Sequence, residues 1–371
     1  MEYIIHCGDS PVGGMAAEIR TASTRILIDM SADVRLEPDF HPEIMHTLGV
    51  NDSSAPNAVF FAQNYGDHVS HIENIRIETK IFMGALAREI MLKTLQNTEP
   101  ETVQKAEEAT LLVSGEKVTV GDITVTPYAF GPIGRETYQF LIEADGRRVL
   151  CTGDVKPNAV PAVGHVDALI VKGGVHTACP ERKPLADFTS RYKYVFVMAP
   201  SSNLKLIASL ADEAPDGRLY CDAYQKTLLD LVRENGCCAC MSACPELTVY
   251  DPEAIDALRE SGFVMLVRDN VAFRNIVSAF DPKESVILYT LCDCCRKAPT
   301  STIPSFLSLA GTWAPFPVCR GGSSPEALTA LIGETTPGTV IPLCRGKADS
   351  LKEALPGQVI LAAESEKAYS I

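Results

Sequence analysis

Residues 137–154, TYQFLIEADGRRVLCTGD, constrain the fold of this chain more than any other stretch. Two apolar runs flank Asp145-Gly146, a dipeptide that tolerates the backbone of a tight turn between antiparallel strands. The chain therefore builds a sheet that is at least partly antiparallel. Earlier apolar runs supply further strands at Tyr3–Ile5, Arg25–Asp29, Ala58–Ala62, Lys117–Val120 and Ile123–Pro127. Among them Met83, Leu86, Ala87, Ile90, Met91 and Leu95 recur at helical spacing and read as one core-facing stripe.

From about Tyr192 the pattern changes to strands and helices in regular succession. Tyr194–Ala199 reads as a strand, followed by a helix after Ser201-Ser202. Leu219–Ala223 is a strand, and the next helix closes at Gly236. A further helix opens at Asp251-Pro252 and closes at Gly262, and Val264–Val267 and Val286–Thr290 are strands. That alternation predicts a compact α/β unit with a parallel sheet. Beyond Thr300, Ser324 caps a helix begun by Pro325, and Thr339–Cys344 and Gln358–Glu364 read as strands. There is no internal repeat and no low-complexity tract.

A chain of 371 residues suits two domains, or one large domain carrying an insertion. With 46% hydrophobic and 22% charged residues, it has the composition of a soluble globular protein. A net charge of −14 disfavours nucleic acid and anionic membrane as partners, because binding to polyanions rests on counterion release at basic surfaces; it leaves room for a local basic groove. The opening residues, MEYIIHCGDS, lack the features of a secretory signal, and no later run approaches a membrane span. The expected location is cytoplasmic. The 13 cysteines then read as reduced thiols or metal ligands, and their odd number argues against full pairing.

The stretch AQNYGDHVSH, residues 62–71, follows an apolar strand and places Asp67 beside His68. The second strand of the hairpin delivers Asp154. A carboxylate and an imidazole after a buried strand suit metal binding; equally, Asp67 caps the following segment and His68 is a surface residue.

The order of these motifs resembles the metallo-β-lactamase-fold proteins of the ribonuclease J type, over nearly the whole chain. The resemblance rests on residues 13–31 (GGMAAEIRTASTRILIDMS), 58–71, 125–156, 201–207 (SSNLKLI), 320–332 (RGGSSPEALTALI) and 339–347 (TVIPLCRGK). It implies an α/β fold, a metallo-β-lactamase αββα sandwich with an inserted β-CASP-like α/β domain. The sandwich would comprise residues 1–185 and 301–371, the insertion residues 186–300, and the cleft would lie between the two.

The resemblance also implies two metal positions. Those of the first, histidines in the family, read Gln63, Tyr65 and Pro132. An amide, a protonated phenol and a proline form no usable zinc ligand set, so no metal is expected there. The positions of the second read Asp67, His68, Asp154 and Cys344. All four are legitimate zinc ligands, and the thiolate favours zinc over magnesium or manganese, so one zinc is the expected cofactor if any is held. The histidine that contacts the scissile phosphate in the family corresponds to Gly322.

Two functional readings follow. In one, the chain is a degenerate, noncatalytic member, a pseudoenzyme acting by binding or regulation, as a homo-oligomer or with an active homologue. In the other it is a mononuclear zinc hydrolase of a small ester, thioester or amide. Asp67, His68, Asp154 and Cys344 would hold the ion, which lowers the pKa of a coordinated water toward ~7, and Asp67 and Asp154 are its candidate catalytic residues.

Other features carry less. Cys237, Cys238, Cys240 and Cys244, with Cys292, Cys294 and Cys295, read either as a structural zinc or redox site or as small core residues; neither group has the clean C-x-x-C pair of a zinc ribbon, because Cys238 and Cys294 fall inside the Cys237/Cys240 and Cys292/Cys295 spacings. His71, three residues beyond His68, reads either as a replacement for a lost ligand, if the turn continues helically, or as a solvent-facing helix histidine; His6 and His176 have similar status, and Gly13-Gly14 reads as a turn resembling the family's early glycine turn.

Overall fold

The computed structural model describes residues 1–6, 16–30, 55–62, 72–95, 99–130, 137–153, 155, 161–171, 181–201, 203–234, 246–291, 293–298, 301–318, 323–343 and 347–371. The chain divides into two compact units, Met1–Ala178 with Gly321–Ile371, and Cys179–Arg320.

The first unit holds two sheets. One has the strand order β19-β1-β2-β3-β4-β5-β6, formed by Ala368–Ser370, Glu2–His6, Ala16–Arg20, Arg25–Ile28, Ala58–Phe60, Lys80–Met83 and Thr110–Leu111. The other has the order β18-β11-β10-β9-β8-β7, formed by Thr339–Pro342, Ala168–Val171, Arg147–Thr152, Thr137–Ala144, Ile123–Phe130 and Val118–Val120. The hairpin that the sequence predicts joins β9 to β10, with Ala144 opposite Arg147. Asp145 (φ 51°) and Gly146 (φ 69°) both adopt the left-handed backbone that a two-residue hairpin turn of matching twist demands.

Alternation of side chains along the strands sorts the first unit into four layers. Tyr3, Ile5, Ile19, Ile26, Phe60 and Phe82 of the first sheet meet Ile123, Phe140, Ile142, Val149, Ile170 and Ile341 of the second in a shared core. The outer face of the first sheet, through Leu27, Val59, Phe61 and Ile81, packs on Ala87 and Met91 of α1 (Ala85–Thr94) and Ala106 of α2 (Pro100–Glu107). The outer face of the second, through Leu141, Leu150, Leu169 and Val340, packs on two further helices. They are Pro325–Thr335, through Leu328, Leu331 and Ile332, and Ala348–Ala354, through Leu351. The arrangement is helix, sheet, sheet, helix.

The second unit is built on a six-stranded sheet of order β14-β13-β15-β12-β16-β17, formed by Thr248–Val249, Leu219–Cys221, Phe263–Val267, Tyr194–Met198, Ser285–Tyr289 and Trp313–Pro315. Every pairing in it is parallel. Its central strands YVFVM, FVMLV and SVILY are buried at every residue, which is why they read as unbroken apolar runs rather than alternating ones. Helices Leu204–Glu213, Ala223–Glu234, Ile255–Ser261 and Val271–Ser278 fall between successive strands.

Two local expectations change. Met83 ends strand β5 instead of opening the helical stripe, which starts at Ala85 after Gly84. Gln358–Glu364 forms no strand and contributes a single bridge, Ile360 with Val340. No helix among the described residues is long and apolar enough to cross a membrane.

Candidate functional site

Gln63, Tyr65, Asp67, His68, Pro132, Asp154, Gly322 and Cys344 all lie outside the described residues, as do His71, His176, Gly13-Gly14, Cys237, Cys238, Cys240, Cys244 and Cys292. The structure describes the strand ends from which the candidate segments depart. Strands β10, β11 and β18 run parallel, with Thr152 opposite Val171 and Val171 opposite Pro342. The Leu343 N–H continues the ladder by donating to the Val171 carbonyl at 2.9 Å. Adjacent strands sit ~4.8 Å apart, so the ends that lead to Asp154 and Cys344 are on the order of 10 Å apart on one edge of the sheet.

Strand β9 runs antiparallel to β10 and therefore starts at that same edge. Phe130 is paired with Thr137, so the connection that contains Pro132 opens there too. The Tyr138 N–H donates to the Ala62 carbonyl at 2.9 Å, which ties the exit from β4 in the first sheet to the start of β9 in the second. The exits after Ala62, Phe130, Gly153 and Leu343 thus share one edge of the two-sheet body.

Two residues with no assigned role in the sequence reading fix these exits. Asp29 is buried and sits at φ 58°, a left-handed conformation that aspartate tolerates better than most side chains. Its N–H donates to the Phe60 carbonyl at 2.9 Å, and its carboxylate Oδ1 accepts the Ala62 N–H at 2.8 Å. The last residue before the Gln63–His71 segment is therefore held from both sheets. Ser323 is fully buried and its Oγ accepts the Val155 N–H at 2.9 Å, while the Ser324 N–H donates to the Val155 carbonyl at 3.2 Å. Both backbone groups of the residue after Asp154 are thereby anchored to the start of helix Pro325–Thr335. An acidic residue closing an apolar strand and a serine pair before a proline are the signals in the sequence that mark these anchors.

A buried ionic cluster lies on the outer face of the first sheet. The His6 ring is flanked by Glu366 Oε2, 2.7 Å from Nδ1, and by Glu18 Oε2, 2.9 Å from Nε2. Arg25 Nη2 also reaches Glu18 Oε2 at 2.9 Å. Burial pushes the imidazole down, but hydrogen bonds to Glu18 and Glu366 outweigh it and hold His6 above its ordinary value. Burial likewise pushes Glu18 up, and hydrogen bonds from His6 and Arg25 reverse this and hold it below the usual carboxylate range. In the second unit, burial pushes the Cys221 thiol up to about 12, so it is inert as a nucleophile at neutral pH. Among the described residues no three of His, Cys, Asp and Glu are grouped so as to hold a metal ion.

Two mixed sheets packed face to face with helices on both outer faces define the first unit as a metallo-β-lactamase fold. A family model described as a beta-lactamase superfamily domain matches residues 24–214, over half of the chain, and the chain belongs to that family. Among solved structures it is similar to a protein of unknown function from Enterococcus faecalis V583, with TM-score 0.65, 14% identity and 99% of each chain covered. At that identity the likeness is one of fold. Weaker similarity joins it to the metallo-beta-lactamase fold protein YhfI from Bacillus subtilis (TM-score 0.44, 10% identity, 100% of this chain and 99% of that one). Zn(2+)-bound PqqB from Methylobacterium extorquens also matches (TM-score 0.36, 14% identity, 47% and 73%). No curated protein matches the chain.

Proposed function

We propose that this chain is a degenerate metallo-β-lactamase-fold protein of the ribonuclease J type that lacks two-metal nuclease chemistry and acts by binding or regulation. The observation that carries this reading is the donor chemistry at the first metal position, where Gln63, Tyr65 and Pro132 stand. Two-metal hydrolysis clamps the attacking and leaving oxygens between a pair of ions, and an amide, a phenol and a proline do not hold one of that pair. Gly322 at the phosphate-contacting position removes a second contribution to phosphodiester cleavage. On this reading residues 186–300 are a β-CASP-like insertion, and the partner is a second copy or an active homologue.

The test is hydrolysis of 5′-labelled single-stranded RNA with added zinc or manganese, comparing the natural chain with an Asp67→Ala, Asp154→Ala double variant. Equal, background rates are expected. Metal-dependent cleavage that the double variant abolishes would overturn the proposal.

A second reading draws on the shared edge. The exits toward Asp67 and His68, toward Asp154 and toward Cys344 leave the two-sheet body together, which suits one zinc held by those four side chains. Such an ion supplies Lewis acidity and a more acidic water for cleavage of a small ester, thioester or amide. Zinc-dependent esterase or thioesterase turnover lost in Cys344→Ala would favour this reading over the first.

A further inference from the structure

The His6 cluster plays no part in either reading, and its geometry joins three strands to residues that come much later in the chain. Strand β19, three residues long, pairs with the free side of β1, Glu2 opposite Ser370 and Ile4 opposite Ala368. Just before it, Glu366 sits at φ 63°, a left-handed backbone unusual for glutamate. Its N–H donates to the Ile5 carbonyl at 3.1 Å, its carboxylate meets His6 Nδ1, and Tyr369 stacks on Tyr3 with ring centres 5.4 Å apart. The ionic contact adds to the short backbone ladder and to the packing of Tyr369 and Ile371 on the core in docking this segment.

A neutral imidazole donates from one nitrogen and accepts at the other, whereas ionised carboxylates only accept. His6 therefore satisfies Glu18 and Glu366 together only as the imidazolium. The two carboxylates differ in what they do when the proton leaves. Glu18 has a side chain 2% exposed and keeps Arg25 at 2.9 Å and Arg20 at 3.9 Å. Glu366 is 38% exposed and has solvent as its alternative. A recess of about 450 Å³ is bordered by His6, Glu18, Arg20, Arg25, Asn57 and Glu366.

We infer that residues 364–370 form a pH-gated strap on β1, closed while His6 is an imidazolium and released at the Glu366 contact when the ring loses its proton. The charged groups around the ring, among the described residues, are Glu18 and Arg20 on β2, Arg25 on β3 and Glu366 on the strap. Glu2 on β1 pairs with Arg20, and Lys367 pairs with Glu364 within the strap. None of these takes over the contact of Glu366 with His6. Because the folded-state pKa of His6 is raised, the strap is closed below it and opens as pH rises through it.

The experiment uses the full chain labelled with ¹⁵N-histidine, with the His6 signal identified by its absence in His6→Asn. Its titration is followed alongside amide hydrogen exchange of residues 366–371, corrected for intrinsic base catalysis. The expected result is a His6 titration above the ordinary imidazole value. Protection of the strap should fall on the order of tenfold across that titration. In Glu366→Gln, a conservative change at a partly exposed side chain, protection should be low at every pH, with no step. Strap protection that stays constant through the His6 titration, or that is the same in Glu366→Gln, would overturn the inference.

Discussion

Asp29 and Ser323 show how single buried acceptors fix the points at which the candidate-site segments leave the sheets. Asp29→Ala removes the acceptor for the Ala62 N–H and puts a less tolerant residue at φ 58°, and the expected loss is about 2–4 kcal/mol of stability. Asp29→Asn keeps an oxygen acceptor and tolerance of that backbone, so it should lose much less. Urea midpoints of the two variants check this. Ser323→Ala orphans the buried Val155 N–H and should cost about 1–3 kcal/mol by the same measurement.

The His6 cluster adds a pH dependence with two signs. The raised His6 pKa contributes stability that is lost as pH rises through it, and the lowered Glu18 pKa contributes stability that is lost as pH falls through it. Stability against urea should therefore be flat only between the ordinary glutamate and histidine values and decline as pH moves outward from that window on either side, with the alkaline decline absent in His6→Asn. Donor types such as Gln63, Tyr65 and Pro132 are legible in the sequence because side-chain chemistry is local information. The roles of Asp29, Ser323 and His6 were not, because each depends on a partner 33, 168 or 360 residues away.

At the scale of elements, local signals carried far where they encode backbone geometry. The Asp145-Gly146 turn, the apolar runs of the parallel sheet and the Ser324-Pro325 start of a helix all appear as their chemistry dictates. The Ser324 hydroxyl accepts the Ala327 N–H at 3.1 Å, and Ser324→Ala should cost about 1 kcal/mol in a thermal or urea midpoint. Gly262 closes helix Ile255–Ser261 at φ 71°, and an added Cβ would lie 2.7 Å from the Lys193 carbonyl oxygen. Gly262→Ala should therefore destabilise the second unit by more than ~1 kcal/mol.

Other elements escaped local reading. Met83 shares the helical period by coincidence while its backbone belongs to β5. The run Gln358–Glu364 is apolar enough for a strand but makes only one bridge to β18, whereas the polar Ala368–Ser370 pairs with β1. Edge pairing of that kind is decided by tertiary context, which composition does not carry.

The whole molecule is a metallo-β-lactamase-fold unit whose chain is interrupted by Cys179–Arg320, a parallel α/β unit with its own core. The regular strand–helix succession after Tyr192 foretold that second sheet because parallel strands need long crossovers. The exits toward Asp67, Asp154 and Cys344 share one edge because three strands of one sheet run parallel and β9 ties that sheet to β4. No single segment of sequence states that convergence.

On the proposed reading this edge does not hold a pair of catalytic ions, and metal content per chain measures that. The natural chain would be compared with the Asp67→Ala, Asp154→Ala double variant, so that any ion held by the cysteine-rich segments cancels. The expected difference is no more than one zinc per chain. Loss of two ions on substitution would contradict it.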